Sequence, residues 1–162
     1  MLAGCAPRAG ETPAELPSTL EARREVWAAI QPLAVLRHVD PLFVYAIVEA
    51  ESNFDVHAQK GEARGLMQIK PRIWRTITHL PYESMVWNWR TNLALGIEEL
   101  ALIKKALTER GVFSYRMLWA SYHYGLDYPA AHDFDMSRIP RPSDPISYKL
   151  WSGVVHPIDP PK

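Results

Sequence analysis

The stretch from Pro41 to Phe54, PLFVYAIVEAESNF, constrains this chain most, because apolar residues recur there at helical spacing around a single awkward acid. Proline suits the first position of a helix, and Asp40 before it can cap the free backbone N–H groups. At about 100° per residue, Phe43, Ala46, Ile47, Ala50 and Phe54 form one apolar stripe. Glu51 falls on the edge of that stripe, beside Val44, Ile47 and Val48, whereas Glu49 turns the other way, beside Tyr45 and Ser52, towards water. A stripe of this kind must be buried, which presses Glu51 against hydrocarbon. Desolvation disfavours the ionised carboxylate, so such a group can stay protonated near neutrality and act as a general acid. An acid at a helix end can equally turn outward or cap a neighbouring backbone group. This helix alone leaves both readings open.

Helical periodicity continues through most of the chain, and the expected class is all-α, α+β at most by a small hairpin. Residues 19–38 carry Leu20, Val26, Trp27, Ile30, Leu33, Ala34 and Leu36 at helical spacing, with Ser18 or Thr19 as cap. Pro71 opens a short helix through Ile77. Residues 88–110 predict the longest helix, with Leu93, Ile97, Leu100, Ile103 and Leu107 inward and Glu98, Lys104, Lys105 and Glu109 outward. Residues 115–124 predict a helix that crosses the core beside the Glu51 helix and ends at Gly125. Beyond Tyr128 prolines predict loops, with one short helix over 147–151. No alternating run demands a strand, and the one place open to a hairpin is 62–68. The organisation is a flexible tether over 1–18, rich in Pro, Gly, Ala, Thr and Glu, one domain over 19–155, and a Pro-rich tail over 156–162. A chain of 162 residues can bury one proper core.

Two further segments carry chemistry. In Gly65-Leu66-Met67-Gln68-Ile69, Gly65 lets the backbone turn tightly or approach a ligand, and Gln68 offers a donor and acceptors suited to a sugar hydroxyl or acetamido group. Leu66 and Ile69 read as a buried connection, and Met67 as soft apolar packing. In Ala120-Ser121-Tyr122-His123-Tyr124-Gly125, a phenol and an imidazole adjoin at a helix end. Together with Glu51-Ser52-Asn53-Phe54, and in this order, these segments resemble the three motifs of the soluble lytic transglycosylase (SLT) domain, which has a lysozyme-like fold. The likeness runs from about Leu33 to Trp151, and Asn92 with Gly96 lies in a stretch similar to the family's intervening helix.

That resemblance implies a peptidoglycan lytic transglycosylase acting on glycan strands. Glu51 would protonate the oxygen bridging N-acetylmuramic acid and N-acetylglucosamine. The acetamido group would help hold the positive charge, and Glu51 as base would then take the proton of the muramyl primary hydroxyl as it closes an anhydro ring. It places Ser52, Met67, Gln68, Tyr122, His123 and Tyr148 at the substrate, with Tyr122 bonded to the acid or the sugar. Three departures stand out: His123 where the family usually has asparagine, Lys70 where many relatives carry methionine, and Asp144-Pro145-Ile146-Ser147-Tyr148, only loosely like the family's acid-Thr-Arg-x-Tyr segment. Most glycosidases use two carboxylates, and here Asp55 and Glu62 read equally well as solvated loop residues.

Other chemistries find little support. The six histidines are scattered without a ligand-like pair, so no metal site is expected. No glycine-rich phosphate loop is present, and no cofactor is implied. Eighteen basic and eighteen acidic residues give no formal net charge, so nothing suggests a nucleic-acid footprint, and the charge pattern identifies no protein partner. Of the tryptophans, Trp27 and Trp119 read as core, whereas Trp74, Trp87 and Trp89 are candidates for a sugar subsite. Leu2-Ala3-Gly4-Cys5 looks like a lipobox without the basic and apolar run of a signal peptide before it. Cys5 would then be acylated, tethering the protein to the outer membrane on the periplasmic face of a bacterial envelope. Against the transglycosylase stand a goose-type lysozyme-like hydrolase, which delivers water instead, and a non-catalytic peptidoglycan-binding domain.

Overall fold

The computed structural model describes residues 19–162; the expected tether, Cys5 and the alternative cap Ser18 lie outside the described residues. Among the described residues there are eight α-helices and one two-stranded hairpin. Helix α1 (Thr19–Leu36) buries Ala22, Val26, Ile30 and Ala34, a narrower stripe than the sequence suggested. Leu20 and Leu36, counted in that stripe, are 52% and 66% exposed.

Helix α2 (Pro41–Ser52) starts where Asp40 Oδ1 accepts from the N–H groups of Leu42 and Phe43, at 2.9 and 3.2 Å. Burial extends around it, from Phe43 continuously to Val48, because α1 and α8 (Pro145–Ser152) pack on different sides. That overturns the expected solvation of Glu49. With the far side of α2 covered by α1, Glu49 is half-buried and paired with the Arg23 guanidinium, Nη2 to Oε1 at 3.0 Å.

The chain then forms a hairpin, β1 (Gln59–Lys60) against β2 (Ala63–Arg64), turning at Gly61 and Glu62. Arg64 and Ile69 exchange backbone hydrogen bonds of 3.2 and 3.1 Å, which closes residues 65–68 into a small loop. Helices α3 (Pro71–Ile77) and α4 (Tyr82–Met85) lead to α5 (Trp89–Glu109), which buries the five residues expected and also Trp89, Asn92 and Gly96. Helix α6 (Tyr115–Tyr124) packs on α5 and α8 and touches α2 near both ends. At one end Phe43 and Tyr115 ring centroids are 5.1 Å apart, and at the other Glu51 meets His123, so α2 and α6 run in the same direction. Helix α7 (Asp127–Ala131) and a single 3-10 turn occupy the stretch expected to be loop, and α8 begins two residues before its expected start, capped by Asp144. No helix among the described residues is long and apolar enough to cross a membrane.

Gly96 lets α5 carry the closed loop. A Cβ there would sit 2.5 Å from Cβ and Cγ of Met67, which is fully buried. Gly96→Ala is therefore expected to lower stability by ~1–3 kcal/mol through overpacking, although alanine is the better helix former. A chemical-denaturation midpoint equal to or above wild type would show that the loop yields freely.

Candidate active site

At the C-terminal ends of α2 and α6 lies a cavity of about 300 Å³. Glu51 reaches it from the last turn of α2. The residue is 7% exposed, and its Oε1 lies 3.0 Å from Nδ1 of His123. The imidazole is held in place: it stacks on Trp119 at 5.2 Å and 13°, and meets Tyr124 edge-on at 4.7 Å. A neutral ring with its proton on Nδ1, or an imidazolium, donates to the Glu51 carboxylate; a ring with bare Nδ1 accepts from the protonated acid. One contact thus serves both protonation states of Glu51.

The closed loop forms the next wall. Gly65 has φ +80°, and a Cβ there would strike the Asn92 amide at 2.4 Å, so only glycine fits. Gln68 also adopts the left-handed region, φ 49°, which is uncommon for a residue with a side chain. Its Nε2 donates to the carbonyls of Ala58 and Gly65, both at 2.9 Å. Both donors are therefore spent on backbone, and Oε1 is left buried without a hydrogen-bond partner among the described residues. Neither donor of the amide is left for a ligand in this arrangement.

Tyr122 lines the cavity, but its hydroxyl donates to the Met67 carbonyl at 2.6 Å, not to Glu51. Burial, and then the charges of Glu99 and Glu51, hold this phenol well above its ordinary pKa. It remains a neutral donor that ties α6 to the loop. Asn92 completes the support. Its Oδ1 accepts from Met67 N–H at 2.8 Å, and its Nδ2 donates to the carbonyls of Arg64 and Val86 at 2.9 and 3.1 Å.

The cavity thus brings together Glu51, Gln68, Tyr122 and His123 of the expected site residues. Ser52, Met67 and Tyr148 lie elsewhere. Ser52 Oγ donates back to the Val48 carbonyl within its own helix at 3.0 Å. Met67 points into the core, because the loop turns its side chain onto Gly96. Tyr148 packs between Trp151, at 5.9 Å, and the Arg141 guanidinium, at 4.3 Å. Lys70 reaches the cavity rim and is exposed. Of the tryptophans proposed for a subsite, Trp74 and Trp89 are 1% and 3% exposed and belong to the core. The Trp74 indole spends its N–H on the Leu80 carbonyl at 2.6 Å. Trp87 stays half-buried, with Arg64 5.5 Å from its ring.

Two acids beside Glu51 line the cavity. Glu62 comes from the hairpin turn and is exposed; Asp55, its rival in sequence, instead accepts from the His57 N–H at 2.8 Å. Glu99 comes from α5 and escaped the sequence reading. A signal was there: it follows Asn92 by seven residues and precedes Ile103 by four, both spacings that share a helix face. Among the described residues no group of His, Cys, Asp and Glu is arranged to hold a metal ion.

The family model described as "Transglycosylase SLT domain" matches residues 29–129, which include α2, the closed loop, α5 and all of α6. No curated protein and no solved structure matches the chain.

Proposed function

Because the chain belongs to the transglycosylase SLT domain family, with its all-α lysozyme-like fold and activity on peptidoglycan, we propose that it is an active lytic transglycosylase in which Glu51 is the general acid and then the base. The observation that carries this reading is the Glu51 carboxyl, nearly buried yet on the wall of a cavity and bonded to a fixed imidazole. As general acid Glu51 gives a proton to the bridging oxygen, and His123 can hydrogen-bond the carboxylate once the proton has left. As the sugar bond breaks, the substrate's acetamido group shares the positive charge at C1. Glu51 then accepts the proton of the muramyl 6-hydroxyl as that oxygen attacks C1, so one residue serves both halves and no water is consumed. Gln68 lines the cavity, and the two bonds of its amide to backbone carbonyls fix that wall in one place. The lipobox-like Leu2-Ala3-Gly4-Cys5 supports a lipid anchor on the periplasmic face of the outer membrane, and no other feature bears on location.

Mass spectrometry of fragments released from purified peptidoglycan tests the chemistry. Anhydromuramyl ends are expected. Reducing muramyl ends would make the protein a hydrolase of the goose-lysozyme kind, and binding without release would leave it a glycan-binding domain.

A further inference from the structure

The cavity holds a second carboxyl to which the reaction above gives no task. Glu99 projects from α5 into the space that Glu51 enters from α2, and among the described residues it makes no hydrogen bond and no ion pair. The charged groups around it are mixed. Lys70 is the cation whose field reaches it. Lys60 and Arg72, also on the wall, lean on the Ala50 carbonyl and on Asp127, each at 3.4 Å, and Glu62 on the hairpin is exposed. From α6 come the Tyr122 and Tyr124 phenols, and His123, which sits on Glu51.

Desolvation, and behind it the charge of Glu51, pushes the Glu99 carboxyl up to about 8, with Lys70 opposing. Glu99 is then protonated through the neutral range, where an ordinary carboxyl is ionised. A protonated carboxyl is neither a base for water nor a nucleophile; what it offers is a proton. The negative charge of Glu51 across the same cavity is one of the causes that keep the proton on Glu99.

We infer that Glu99 is a positioning residue that stores the proton which Glu51 delivers, an inference that rests on the reading of Glu51 as acid. The Glu99 O–H proton passes across the cavity to the Glu51 carboxylate. Glu51 gives it to the bridging oxygen, which leaves C1 with the bonding electron pair. Two carboxylates then face the positive charge on the muramyl ring. When the 6-hydroxyl oxygen attacks C1 its proton goes to Glu51, and the pair again holds one proton. Glu99 thereby extends turnover towards alkaline pH without touching the substrate.

The test is the pH profile of anhydromuramyl release by wild type, Glu99→Gln and Glu51→Gln, from about pH 5 to about pH 9. Glutamine keeps the shape of Glu99 and removes its proton and its charge. Glu99→Gln is expected within about twofold of wild type at about pH 5 and ~10-fold below it at about pH 7.5, since each unit of pKa is a factor of ten in protonated acid. An alkaline limb that stays in place, or an equal loss at every pH, would overturn the store. A second readout needs no turnover. The folded wild type keeps a proton that the unfolded chain loses near 4.5, so its stability falls as pH rises from there to about 8. The midpoint of Glu99→Gln should therefore gain on wild type across that window; a constant gap would overturn the proposal. Turnover by Glu51→Gln would instead mark the assignment of Glu51 as the failure.

Discussion

Glu51→Gln is expected to cut fragment release by ~10²–10⁴-fold, the range over which positioned acid–base groups contribute, with the thermal midpoint little changed. Glutamine is nearly isosteric, and its carbonyl oxygen can still accept from His123 Nδ1–H, so the wall of the cavity survives. What disappears is the proton for the bridging oxygen and the base for the 6-hydroxyl, which the reaction draws from one side chain. Losing both halves at once places the effect at the upper end of the range. Product counting by mass spectrometry, with unfolding curves in parallel, checks it. Release above about a tenth of wild type would mean that another acid serves, and Glu99 and Glu62 are the two on that wall.

The fold was legible in the sequence wherever a helix carries its own signals. Asp40 and Pro41 mark the start of α2, and five inward residues of α5 recur at spacings of three and four. Helices α4 and α7 were not legible because four or five residues complete barely more than one turn and cannot display a period. Trp74 and Trp89 misled for a related reason: a place at a helix end says nothing about how tertiary packing covers it, and Trp74 is enclosed edge-on by Tyr82 at 5.5 Å. Within the site, motif order located Glu51, Gln68, Tyr122 and His123 but not what each is bonded to. The left-handed turn at Gln68 decides where its amide points, and spacing along the chain carries no trace of it. Glu99 was legible in principle. Helical geometry puts it on the Asn92 face, yet a pair of adjacent glutamates reads as a solvated edge until α6 and the closed loop wall it in.

Asn92→Ala is expected to be the most destabilising change near the site, because among the described residues Asn92 is the α5 side chain that hydrogen-bonds the closed loop. It is fully buried, and its amide satisfies three backbone groups: the N–H of Met67 and the carbonyls of Arg64 and Val86. Alanine leaves the Met67 N–H and the Val86 carbonyl without their partner, while the Arg64 carbonyl keeps the Ile69 N–H, in a region where Gly65 packs directly onto the lost amide. An unpaired buried polar group costs ~1–3 kcal/mol. Water entering the vacated space can recover part of that for the two unpaired groups, which brings the expected loss to ~2–4 kcal/mol. Against a total stability of ~5–15 kcal/mol for a domain, this is enough to populate the unfolded chain at moderate temperature. Asn92→Asp separates shape from bonding. It preserves volume and the acceptor for Met67 N–H, but turns carboxylate oxygen towards the Arg64 and Val86 carbonyls, so it should be no more stable than alanine at neutral pH. Urea unfolding of the three proteins decides the matter. A loss below about 1 kcal/mol in Asn92→Ala would mean that the Arg64–Ile69 bridge and the Tyr122 hydroxyl suffice to hold the loop. A larger loss ties the position of Gln68, and with it one wall of the Glu51 cavity, to one amide on α5.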